Sequence, residues 1–130
     1  MKAAIAPILG LLFILLSFCN SASAQLTPSR YQVVNKSLCK ALVRVGCTDN
    51  SISQYIIQPN GFADGDCGDN IEVCFIFIDF DDGNTGPERV ESNPYIGQCV
   101  SLINIPSPKC YSGNLDWAIT PSGFITMNFY

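Results

Sequence analysis

The sequence predicts an all-β fold: an antiparallel β-sandwich of about seven short strands, stabilised by disulfides. Three observations lead there. Beyond residue 24, short segments rich in Val, Ile, Phe and Tyr alternate with Gly/Pro/Asn/Asp clusters, the rhythm of strands and turns. The same stretch shows no sustained helical period of apolar residues and no internal repeat. Six cysteines also lie in it, an even number suited to three bridges in an exported chain.

Residues 1–24 read as an export signal. Met1-Lys2 is positive, residues 3–18 are apolar apart from Pro7, Gly10 and Ser17, and Ala22-Ser23-Ala24 sets small residues before the cut. An apolar stretch of 16 residues with an early proline falls short of the about 20 that a membrane span needs. Leu16-Ser17-Phe18-Cys19 offers an alternative, a lipid anchor at Cys19, against which stands the bulk of Phe18 beside the cysteine. Residues 25–130 then make one secreted domain of 106 residues with no transmembrane span. Losing Lys2 leaves six basic residues against eleven acids, a net charge of −5. That excludes the basic stripe nucleic acid requires and the polybasic patch that an acidic membrane attracts.

The strands follow in order. Residues 31–35 form the first. Residues 40–45 form the second, with Ala41, Val43 and Val45 on one face and Lys40, Leu42 and Arg44 on the other. Residues 55–57 are a short third, ended by Gln58-Pro59-Asn60-Gly61, a turn sequence. Residues 64–70 read as an acidic loop. Residues 71–80 are the strongest strand, with Val73, Phe75 and Phe77 on one face and Cys74, Ile76, Ile78 and Phe80 on the other. Both faces are apolar, which predicts a central strand buried on both sides. A loop at 81–87 ends it, and residues 100–105 form a strand closed by Pro106-Ser107-Pro108. The last pair is a hairpin. Leu115, Trp117 and Ile119 share a face, which assigns Trp117 to the core; Thr120-Pro121-Ser122-Gly123 turns with a left-handed glycine. Residues 124–130 then alternate Ile125, Met127 and Phe129 against Thr126 and Asn128, and tie this strand into the sheet.

The bridges fall to Cys39, Cys47, Cys67, Cys74, Cys99 and Cys110. If 39–47 were one continuous strand, eight steps would set its ends ~26 Å apart. A disulfide needs Cα atoms about 4.4–6.8 Å apart. Cys39–Cys47 is therefore disfavoured, and twelve of the 15 pairings remain open.

Histidine is absent, which removes Ser-His-Asp and Cys-His catalysis and the usual zinc sites. Carboxylates remain for glycoside chemistry: Asp79, Asp81, Asp82, Glu88 and Glu91. Most of them fall in loops, and the domain is small for a walled cleft, so no enzyme activity is expected. Calcium is the better use for acids. Asp64-x-Asp66-x-x-Asp69 and Asp79-x-Asp81-Asp82 offer clustered hard oxygens, although the EF-hand pattern fails, with Asp69 at its glycine position and Phe75 at its closing glutamate. Tyr95 and Tyr111 sit in turn-like sequence and are the candidate rings for contact with a ligand such as a sugar. Asn35-Lys36-Ser37 matches the N-glycosylation acceptor pattern.

Tyr31-Gln32-Val33-Val34-Asn35 followed by Cys39 resembles the opening strand of thaumatin-like and other exported β-sandwich domains. The likeness covers this stretch alone, and the chain is shorter and poorer in cysteine than those proteins; no residue role is carried over. The residues point to a non-catalytic binding or structural/surface protein whose partner is an unidentified protein or glycan. The alternatives are a secreted inhibitor or effector that offers a loop to a partner protein, and a small carboxylate-based hydrolase. Calcium is the one cofactor the residues offer.

Overall fold

The computed structural model describes residues 28–83, 86–104 and 109–130. Residues 1–24, read above as an export signal and containing Cys19, lie outside the described residues. Among those described, nine strands follow one another along the chain: β1 (Arg30–Asn35), β2 (Ala41–Cys47), β3 (Ile52–Ile57), β4 (Phe62–Asp66), β5 (Val73–Phe80), β6 (Arg89–Ser92), β7 (Ile103–Asn104), β8 (Leu115–Ile119) and β9 (Ile125–Phe129). They form a four-stranded sheet, β4-β1-β9-β8, packed on a five-stranded one, β3-β2-β5-β6-β7. No helix among the described residues is long and apolar enough to cross a membrane.

Alternation builds the core. Ala41, Val43 and Val45 of β2 and Ile76, Ile78 and Phe80 of β5 line the inner face of the larger sheet. Tyr31 and Val33 of β1 meet them from the other side, with Ile125, Met127 and Phe129 of β9. Phe80 sits at the centre of an aromatic group, stacked on Tyr111 at 5.2 Å and edge-on to Phe129 at 5.6 Å. The β8–β9 hairpin closes as its sequence predicts. Gly123 takes φ 78°, its N–H donates to Thr120 O at 2.9 Å, and Thr120 N–H donates to Phe124 O at 2.9 Å.

Four features differ from the expectation. First, the acidic stretch 64–70 is not all loop: its first part belongs to β4, which pairs antiparallel with β1 from Arg30↔Asp66 to Val34↔Phe62. Gly65 serves this pairing by leaving space. A Cβ there would overlap the Tyr31 ring and the Tyr55 hydroxyl, which meets the Tyr31 hydroxyl at 2.8 Å. Second, β6 is a strand where no strand was expected, and of the described residues 100–104 only the two of β7 form one. Third, β1 and β9 pair in parallel, so one ladder of the smaller sheet departs from the antiparallel rule that the other pairs obey. Fourth, β5 is central but buried on one side only. Cys74, Ile76, Ile78 and Phe80 are buried, while Phe75, Phe77 and Asp79 on the other side keep solvent contact; Val73, expected on the side of Phe75 and Phe77, is buried in the core, paired with Cys47 beyond the register shift after Gly46.

Three disulfides hold the frame. Cys39, ahead of β2, joins Cys110, ahead of β8; Cys47, at the end of β2, joins Cys67, just past β4. Both bridges therefore tie the larger sheet to the smaller. Cys74–Cys99 pins the loop after β6 to β5. The Cα separations are 5.6, 5.8 and 5.8 Å, within ordinary disulfide geometry.

Candidate functional site: the outer face of the larger sheet

Strand register places three rows of side chains across the outer face of the five-stranded sheet. Ile56, Leu42 and Asp79 make the first. Gln54, Arg44, Phe77, Val90 and Ile103 make the second. Ile52, Gly46, Phe75 and Ser92 make the third. Apolar residues dominate: Ile52 and Ile56 are 60% and 68% exposed, and Leu42, Phe75 and Phe77 are half-buried. Gly46 allows Phe75 to lie flat, because a Cβ at that position would fall inside the ring's space. The Phe77 ring carries the Arg44 guanidinium 5.0 Å from its centroid.

The charges on this face are few and balanced. Arg44 donates from Nε to Gln54 Oε1 at 2.9 Å. Asp79 stands diagonally next to Arg44 in the ladder, and no ion pair joins the two among the described residues. Desolvation raises the Asp79 carboxyl above the usual range; Arg44 opposes this, and Asp82 and Asp81 add to it. Lys40 and Asp81 pair with each other at 2.6 Å at the end of the face. Between them and Leu42, Ile56 and Asp79 opens a shallow depression of about 340 Å³.

The residues singled out from the sequence are scattered. Asp64 accepts from Gln32 Nε2 at 2.9 Å on the outer face of the smaller sheet, Asp66 accepts from Gly68 N–H at 2.7 Å, and Asp69 is exposed in the turn beyond. Asp79 and Asp81 line the depression, whereas Asp82 accepts from Lys109 N–H at 3.1 Å. Among the described residues no three or more Asp, Glu, Cys or His side chains gather closely enough to hold a metal ion.

The two tyrosines part company. Tyr95 is 44% exposed, and its hydroxyl donates to Trp117 O at 3.1 Å, which fastens the loop after β6 to β8. Tyr111 is 7% exposed and stacked on Phe80, so it belongs to the core and not to a ligand-facing loop. Trp117, expected in the core, is half-buried at the sandwich edge. There its Nε1 donates to Glu91 Oε1 at 3.0 Å, and Glu91 Oε2 accepts from Arg89 Nε at 2.9 Å. Glu88 is almost wholly buried; its Oε2 accepts the Phe80 N–H at 2.8 Å, and burial raises its carboxyl above the usual range.

Asn35 is corrected as well. It is fully buried, with Nδ2 donating to Cys39 O at 2.8 Å and to Ile57 O at 3.0 Å, and with Oδ1 accepting from the Ser37 N–H at 2.9 Å. Both protons of the nitrogen that would carry a glycan are hydrogen-bonded inside the protein.

The outer-face residues Leu42, Ile52, Ile56, Phe75 and Phe77 were not singled out as a site from sequence. Their signal was the run 71–80, apolar on both faces, which was read as double burial. No family model matches the chain, and neither a curated protein nor a solved structure does.

Proposed function

We propose that the chain is an exported binding module, held rigid by its three disulfides, that works through the outer face of the larger sheet and not by catalysis. One observation carries this reading: β5 lies in the middle of its sheet with apolar side chains on both sides, yet Phe75 and Phe77 stay partly exposed beside the exposed Ile52 and Ile56. Contiguous apolar patches of this kind on a small domain mark contact surfaces. Aliphatic residues around two phenyl rings fit a protein surface better than a sugar, which favours flat rings rimmed by hydrogen-bonding groups. Four of the five carboxylates that would serve a hydrolase have structural partners instead; Asp79 is the exception. Asp81 holds Lys40, Asp82 holds the Lys109 segment, Glu88 caps β5 and Glu91 holds Arg89 and Trp117.

The test places a photo-crosslinking amino acid at Phe77, and in a second variant at Thr126 on the opposite sheet, in cells that export the protein. A covalent adduct formed from position 77 and not from 126 supports the reading. Equal labelling from both positions, or none from 77, overturns it.

A further inference from the structure

We infer that the occupant of this face is a second copy of the same chain, seated on a two-fold axis that lies in the interface; the inference rests on the binding role proposed for that face. Three observations lead to it. The face is electrically balanced, with Arg44 against Asp79 and Lys40 against Asp81, although the domain as a whole is strongly acidic. An acidic or basic partner would be met by no complementary field, whereas a surface of mixed sign can complement itself. The second observation is the diagonal arrangement. Leu42, Arg44, Phe77 and Asp79 form the four corners of one patch on β2 and β5, with Leu42 opposite Asp79 and Arg44 opposite Phe77. An axis along the Leu42–Phe77 diagonal brings Arg44 of one copy onto Asp79 of the other, and does so twice. The same axis stacks Phe77 on Phe77 and Leu42 on Leu42, with the strands of the two sheets crossing near right angles, one of the two usual ways sheets pack. Third, the groups that would meet are unspent. Among the described residues Arg44 donates a hydrogen bond from Nε alone, its guanidinium lying over the Phe77 ring, which leaves the amino ends of its fork to donate, and Asp79 accepts no hydrogen bond. The five strands, of six, seven, eight, four and two residues at about 4.8 Å spacing, give about 430 Å² per copy. Two such faces fall below the lower limit of specific interfaces, about 1,000 Å², so association should be weak and concentration-dependent.

Sedimentation equilibrium of the exported protein over a concentration series tests this, together with Arg44→Asp, Asp79→Arg and a mixture of the two. The native chain is expected to dimerise. Each reversal sets like charges across the axis and should weaken association roughly a hundredfold. The mixture should recover a dimer, because Asp at position 44 of one chain then meets Arg at position 79 of the other, and Asp79 meets Arg44. Circular dichroism of each variant confirms that it is folded. A native chain that stays monomeric, or reversals that leave self-association unchanged, overturns the inference. A mixture that fails to dimerise although both variants are folded overturns it too. If the chain is monomeric while a crosslinker at Phe77 still yields an adduct with another protein, the second copy is wrong and the binding role of the face stands. If neither association nor adduct appears, both readings fall.

Discussion

The outward positions of the smaller sheet include Gln32 and Asp64, bonded to each other, with Asp66, Asp116, Thr126 and Asn128. Those of the larger sheet include Ile52, Ile56, Leu42, Phe75 and Phe77. Both sheets bury one face against the same core, so folding alone requires only one apolar face on each. The smaller sheet turns only Val34, Phe62 and Ala118 outward among its apolar residues, Phe62 being 63% exposed. The larger sheet repeats the apolar pattern on its far side, where it adds little to the stability of a single chain and raises the hazard of association. A pattern that folding does not need points to contact with another surface.

Six variants would break or sharpen this contrast. Phe129 on the inner face is completely buried. Phe129→Ala should cost about 4 kcal/mol in urea unfolding, while Ile56→Ala on the outer face should stay within about 0.5 kcal/mol. Equal losses would mean that the outer face is part of the folding core. Replacing Cys47 and Cys67 together by alanine frees a 20-residue separation between the two sheets. It should cost about 3 kcal/mol in the chain-entropy account; a loss near zero would show that packing alone registers the sheets. A matched glycine pair comes next. Gly65→Ala drives a methyl group into the Tyr31–Tyr55 contact and should cost about 2 kcal/mol, because those rings are hemmed in. Gly46→Ala meets the half-exposed Phe75 ring, which can swing outward; its cost should be below about 1 kcal/mol. The reverse order would mean that Phe75 is firmly seated on its sheet.

The smallest effect concerns pH. Burial raises the Glu88 carboxyl, so the folded chain holds that proton more tightly than the unfolded chain does. Its contribution to stability is therefore largest below the ordinary glutamate range and falls as pH rises through the raised native value. Glu88→Gln keeps an acceptor for the Phe80 N–H and removes the ionisation. The melting temperature of the variant relative to the parent should climb by a few degrees between about pH 4 and pH 7. A constant difference across that range would place the Glu88 titration at its ordinary value.

Local pattern made β2, β9 and the Gly123 turn legible, because period-two alternation and a glycine with positive φ are properties of a few neighbouring residues. β4 was hidden because Asp64-Gly65-Asp66 has the composition of a turn. Only the Tyr31 and Tyr55 rings, distant in sequence, explain why a glycine is needed in a strand there. Arg89 and Glu91 masked β6, since their pairing with Trp117 across the sandwich edge accounts for charged residues turned inward. The candidate face was visible as an apolar pattern, but its exposure was not. Periodicity tells which side chains share a side, and only the partner layer decides whether that side is covered.

The parallel pairing of β1 with β9 sets an order of events during synthesis. The ladder β3-β2-β5-β6 draws on residues 41–92 and can assemble while the chain is still being made. β1, produced before any of them, must wait for residues 125–129 to gain its neighbour on one side. Until then the larger sheet is greasy on both surfaces, with neither Met127 nor Phe129 to shield Ile76, Ile78 and Phe80. Removal of β9 alone would leave a chain with two sticky sides, one of which that strand normally conceals.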